Sequence, residues 1–312
     1  MITAIVGSVA QVVLIVFGAP VLIGVARQVR ARMEGRVGAG IWQPWRDLRK
    51  LLRRQPISPT GTGWAFRTAP LILLGTSLVI AAAVPLLTVD TALNPVADLF
   101  AVVGLLALGT VVLALAALDT GTAFGGMGAS REMTVLALVE PTVLMAVFAL
   151  SARVGSTNLS QIVGATLHNP LQVVSPASLL AAAALVVVTI AETGRLPVDN
   201  PSTHLELTML HEAMVLEYAG ADLGLVELAA SMRLTILLGL LSSLFVPWGI
   251  ATDLIGLPVA VLALALKLAV FAAALGAVEV LLAKLRLFRV PELLAGSFVL
   301  ALLAVTASFF LA

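Results

Sequence analysis

The sequence contains no cysteine, which removes disulfides, thiolate metal sites and iron–sulfur ligation by this chain. Charge is also scarce: Asp, Glu, Lys and Arg make up 11% of the 312 residues, against roughly 25% in a soluble domain. The three histidines, His168, His204 and His211, are too scattered to suggest a metal centre. If the protein serves a redox machine, its electrons travel through other subunits.

What the chain has in excess is apolar surface, at 60% of residues. A soluble core cannot hide that much, so the expected fold is all-α and polytopic, with helices solvated by lipid. A hydrocarbon layer about 30 Å thick needs roughly 20 apolar residues per helical crossing. Within it only helices pair every backbone group internally. Apolar runs at 2–26, 69–89, 98–118, 133–152, 177–192, 223–247, 257–283 and 292–312 predict about eight crossings in one membrane domain covering 1–312. The first run has no basic start and is longer than a signal-peptide core, so it is read as a retained crossing. The sixth crossing is expected to begin early, near His204, with a polar first half.

Every Lys and Arg except Arg153, Arg233 and Lys267 falls in four loops, 27–68, 119–132, 193–203 and 284–291. The excess of basic residues on the cytoplasmic side places these loops inside and both termini outside. Residues 41–54 stand apart. Ile41, Trp42, Trp45, Leu48, Leu51 and Leu52 recur at helical spacing, while Arg46, Arg49, Lys50, Arg53 and Arg54 fill the other face. That pattern predicts a short amphipathic helix lying in the membrane interface, against anionic lipid or a docked partner.

Ionisable residues within crossings are expensive and mark cavities or partner surfaces. Glu140 lies about seven residues into the fourth crossing, roughly 10 Å deep at 1.5 Å per residue. Desolvation there disfavours charge, and a carboxyl so placed can take up and release protons. The segment from His204 to Glu227 also holds Glu206, His211, Glu212, Glu217 and Asp222. Read as one helix, it puts Glu206 and Glu217 on one face and His204, His211 and Asp222 on another. Glu140, Glu192, Glu206, Glu212, Glu217 and Asp222 are therefore candidate proton carriers. Arg131, Arg195, Asp199, Arg233 and Lys267 are candidates for tuning their charge or fixing loop structure. By spacing, Arg195 can pair with Glu192 or Asp199, and Arg233 with Asp222.

The stretch AETGRLPVDNP, Ala191 to Pro201, resembles an inside loop of the subunit 1 family of respiratory complex I. Glu192, Arg195, Pro197, Asp199 and Pro201 fit that family's motif, while Gly194 and Val198 depart from it. Glu206–Leu207 and Glu217, Tyr218 and Gly220 match later elements, and Arg131 followed by Glu140 is similar to the family's arginine and buried glutamate. Arg36, Gln43, Pro44 and Asp47 resemble its first inside loop. The runs Gly128–Met133 and Asp199–Gly220 look most like the formate hydrogenlyase and group 4 membrane-bound [NiFe]-hydrogenase branch.

The resemblance implies a membrane-anchor and proton-coupling subunit without a cofactor or catalytic residue of its own. The [NiFe] centre and iron–sulfur clusters would reside in partners: hydrogenase large and small subunits, iron–sulfur subunits and antiporter-like membrane subunits. Arg36, Gln43, Pro44, Asp47, Arg195, Pro197 and Asp199 are then candidates for docking the redox module. Lipid, not nucleic acid, is the remaining partner, and the location is a bacterial or archaeal cytoplasmic membrane. The alternatives are a quinone-chamber subunit of a complex I-like enzyme and a purely structural anchor.

Overall fold

A computed structural model describes residues 2–199 and 210–310. Among these the chain forms eleven α-helices and no strand. They are α1 (Ile2–Met33), α2 (Gln43–Leu52), α3 (Trp64–Ala83), α4 (Leu99–Asp119), α5 (Ala123–Val154), α6 (Leu159–His168), α7 (Pro176–Glu192), α8 (His211–Val215), α9 (Gly220–Phe245), α10 (Leu257–Leu281) and α11 (Val290–Phe310). Seven of them, α1, α3, α4, α5, α9, α10 and α11, are long and apolar enough to cross a membrane. The eighth apolar helix, α7, has 17 residues, about 26 Å at 1.5 Å per residue. It packs against α5, α9 and α11. The all-α polytopic architecture therefore stands, with seven full-length helices and one shorter one.

The helix ends sort the loops onto two ends of the bundle. At the basic end, Asp119 at the close of α4 accepts hydrogen bonds from the backbone of Gly63 (2.8 Å) and Phe66 (3.0 Å), which begin α3. A carboxylate borrowed from the neighbouring helix thus pairs two amides that α3 cannot pair itself, and it complements the dipole there. An Asp119→Ala variant should lose about 1 kcal/mol of stability, read as a lowered unfolding temperature in detergent, with Asp119→Asn keeping most of it.

Beside this cap, Tyr218 stacks on Phe66 with ring centroids 4.1 Å apart and donates its hydroxyl to the Phe66 carbonyl. Burial, with Asp222 and Asp119 nearby, holds the phenol above its ordinary pKa, so it remains a donor. At the opposite end, Leu99 donates to the Thr157 carbonyl, and Ala251 to the Leu87 carbonyl.

Two close approaches rest on glycine. A side chain at Gly276 of α10 would collide with the Ala26 carbonyl of α1, and one at Gly24 with the Ile41 carbonyl. Small residues let membrane helices pack backbone to backbone, where dispersion replaces the missing hydrophobic drive.

The amphipathic helix expected over 41–54 is α2. It buries Pro44 and Leu48 against α1 and α9, while Arg46, Arg49, Lys50 and Arg53 stay exposed. Trp45 donates its indole N–H to the Phe17 carbonyl of α1 and stacks on the Phe17 ring.

Three expectations need correction. The sixth crossing does not begin near His204, because α8 ends at Val215 and α9 starts at Gly220, whose φ is +60°. The acids of this segment therefore do not share one helix with two polar stripes; His204 and Glu206 lie outside the described residues. The fourth crossing starts at Ala123 instead of residue 133, because the Thr122 side chain caps it by accepting from Gly125. Finally, α6 folds at the end opposite the basic loops, where hydropathy predicts no element.

Candidate functional site

Where the basic ends of α1, α7, α9 and α10 meet, the bundle encloses a cavity of about 590 Å³. Exposed Arg27, Arg36 and Glu227 line its mouth, and Leu73, Ile80, Leu105 and Leu113 line its apolar depth. Between them lie the charged groups.

Arg233 of α9 forms an ion pair with Glu192, the last residue of α7. The same guanidinium donates to the Thr110 hydroxyl (2.7 Å) and the Leu106 carbonyl (2.8 Å) of α4. Both side chains are largely buried, at 13% and 5% exposure. A buried ion pair holds only when opposite charge and hydrogen bonds together offset desolvation. Here three helices supply them.

A second array rims the mouth. Glu279 of α10 accepts from Arg195 at 3.0 Å and lies 3.7 Å from Arg30 of α1. Arg30 also pairs with Glu34 at 3.0 Å, and Glu34 with Arg36. Asp199, at 2% exposure, accepts from the Leu210 backbone at 3.1 Å and faces Lys284 at 3.5 Å. The loop after α7 is thereby fastened to α1, α10 and the segment opening α8.

This geometry replaces the pairings expected from spacing. Arg195 reaches Glu279, not Glu192 or Asp199, and Arg233 reaches Glu192, not Asp222. Both differences have one cause: helices distant in sequence meet at the cavity, so the nearest charge in space is not the nearest in the chain. Lys267 sits elsewhere, donating to the Val246 and Trp248 carbonyls where α9 ends, which suits a cation at a helix C-terminus.

Of the candidate proton carriers, Glu192 and Glu212 line the cavity; Glu140, Glu217 and Asp222 do not. One Glu140 oxygen is buried without a hydrogen-bond partner among the described residues. Arg131 lies on α5 outside the lining. Arg195 and Asp199 turn inward, toward Glu279 and Lys284. Pro197 offers its carbonyl to the Leu285 amide. Gln43 donates to Asp47 on α2 at 2.9 Å, and Pro44 and Asp47 border a smaller cavity of about 220 Å³ beside Arg27.

Sequence reasoning misses three acids of this cavity, Glu34, Glu132 and Glu279. Glu279 is visible within the seventh crossing, but no partner for it is legible there. Glu132 falls in a loop by hydropathy, although Thr122 ten residues earlier is a legible helix cap. Among the described residues no three His, Asp or Glu side chains converge as a metal site.

The matched family model spans residues 6–310 and is described as NADH dehydrogenase. The chain belongs to the NADH dehydrogenase family. It is 35% identical to formate hydrogenlyase subunit 4 of Escherichia coli K12 over 288 residues, 92% of each chain. It is 36% identical over 250 residues to hydrogenase-4 component C of the same organism, covering 79% of this chain and 77% of that one. Its fold matches a chain in the structure of the membrane-bound sulfane sulfur reductase, an archaeal respiratory membrane complex. That match has a TM-score of 0.82 at 20% identity and covers 97% of this chain and 98% of the other.

In this family member the motif Glu192–Asp199 is the cavity wall. Glu192 pairs with Arg233, Arg195 with Glu279, and Asp199 with Lys284 and the Leu210 backbone.

Proposed function

We propose that this chain is the membrane-anchor and proton-coupling subunit of an energy-converting, hydrogenase-type oxidoreductase complex. Its basic end faces the cytoplasm, both termini lie outside, and the redox module sits over the cavity mouth. Hydrogenase large and small subunits and iron–sulfur subunits form that module, and antiporter-like subunits adjoin in the membrane. The [NiFe] centre and iron–sulfur clusters belong to those partners.

The observation that carries this reading is the buried Glu192–Arg233 pair set in a cavity open toward the basic end. Such a pair responds to the charge around it. A change of charge or position at the docked module shifts the field at the mouth array, and the array is fastened to the loop that follows Glu192. Carboxylates poised this way exchange protons with water when their counter-charge is drawn away. Glu192 and Glu212 are placed for the task. Glu140, Glu206, Glu217 and Asp222 would serve a continuation toward neighbouring subunits. The names of the hydrogenase relatives support this branch.

The apolar depth of the cavity favours one second reading, a quinone-chamber subunit of a complex I-like enzyme. Purification from native membranes in mild detergent, with mass spectrometry of what accompanies the chain, separates the two. Nickel–iron hydrogenase subunits are expected. NADH-oxidising subunits would overturn the branch, and a chain that purifies alone would overturn its role as an anchor.

A further inference from the structure

Within the proton-coupling reading, on which this inference rests, Glu132 stands apart from the ion-paired acids of the cavity and from Glu227, which sits exposed at the mouth. Glu34, Glu192, Asp199 and Glu279 are each held by an arginine or a lysine. Glu132 of α5 lines the same cavity at 9% exposure and has neither an ion pair nor a hydrogen bond among the described residues. The charges whose fields reach it are Glu192, Arg233 and Asp199.

A carboxylate gripped by a guanidinium gives up its charge reluctantly, because protonation breaks the pair. An acid with no such pair among the described residues has no such brake. Its anion must borrow the field of Arg233 across the cavity. We propose that Glu132 is the carboxyl that takes up and releases the proton in this cavity, with the Glu192–Arg233 pair as its positioning partner. A proton on cavity water passes to a Glu132 oxygen, forming its O–H bond and leaving neutral water. Release breaks that bond and returns the proton to water. While Glu132 is ionised, Arg233 is shared between two carboxylates, which loosens Glu192. While Glu132 is neutral, Arg233 returns wholly to Glu192.

The test uses the intact complex. A carbodiimide reacts with protonated carboxyls in apolar surroundings, so dicyclohexylcarbodiimide should label Glu132, with the adduct found by peptide mass spectrometry, and should spare Glu192 and Glu279. In membrane vesicles Glu132→Gln should assemble yet lower proton translocation per redox turnover more than about tenfold, and Glu132→Asp should recover part of it. Full translocation in Glu132→Gln, or no adduct at Glu132 in the native complex, overturns the assignment. Glu192→Gln serves as the comparison. If it alone stops translocation, the chain still couples protons and only the choice of Glu132 fails. If both variants translocate normally, the proton-coupling reading itself fails. Should Glu132→Gln not assemble, the labelling result and Glu132→Asp still decide.

Discussion

A Gln11→Leu variant should not yield a folded, monodisperse protein in detergent. Gln11 is fully buried on α1 and spends its whole amide on backbone. Its nitrogen donates to the carbonyls of Ala81 and Val84, both at 2.6 Å, and its oxygen accepts from the amides of Leu86 (3.1 Å) and Leu87 (2.9 Å). The need arises from Pro85. Four residues after Ala81, it has no N–H to return to that carbonyl, and α3 ends at Ala83. The chain then runs on to Leu87 through the packed interior, where its amides and carbonyls depend on Gln11.

Leucine fills the same space and satisfies none of the four groups. At about 1–3 kcal/mol for each unpaired buried group, the loss is at least about 4 kcal/mol, enough to unfold a marginal protein. Gln11→Glu retains the acceptor and part of the donor, so it should fall between the two. Size-exclusion profiles and thermal unfolding by circular dichroism check this. A leucine variant as stable as the parent would show that the 84–87 segment draws its stability from elsewhere.

Arg233→Leu is the second large effect, and there stability and function separate. Removing the guanidinium leaves Glu192 buried without its counter-charge and strips a donor from Thr110 and the Leu106 carbonyl. Breaking a buried pair from one side costs about 3–5 kcal/mol, whereas replacing both partners by apolar side chains is often neutral. The single variant should unfold well below the parent, and Glu192→Leu/Arg233→Leu should regain most of that loss. Proton translocation should not return with it, because the double variant has lost the switch itself. Glu192→Gln keeps a hydrogen-bonding shape but leaves Arg233 buried without its counter-charge, so it too should lose stability while redox turnover no longer moves protons. Vesicle acidification measured beside hydrogen evolution or uptake reads both quantities. Coupled translocation in the double variant would reduce the chain to a structural anchor.

The sequence alone determined the class of the protein. Lipid demands long apolar helices, and the crossings read from composition recur within a few residues at most boundaries. The amphipathic α2 was legible because periodicity is local, and the 191–201 motif was legible because it is contiguous. The start of the fourth crossing is hidden where glycines and Arg131 dilute hydropathy, and the early start expected for the sixth fails at a break that hydropathy does not register.

Tertiary structure decided which charge meets which. Glu192 and Arg233 lie 41 positions apart in the chain, and Arg195 and Glu279 are separated by 84. No spacing rule spans such distances, because the pairs form where helices cross. For the same reason Glu132 gained its significance only in three dimensions: its isolation is a property of the cavity around it, not of its neighbours in sequence.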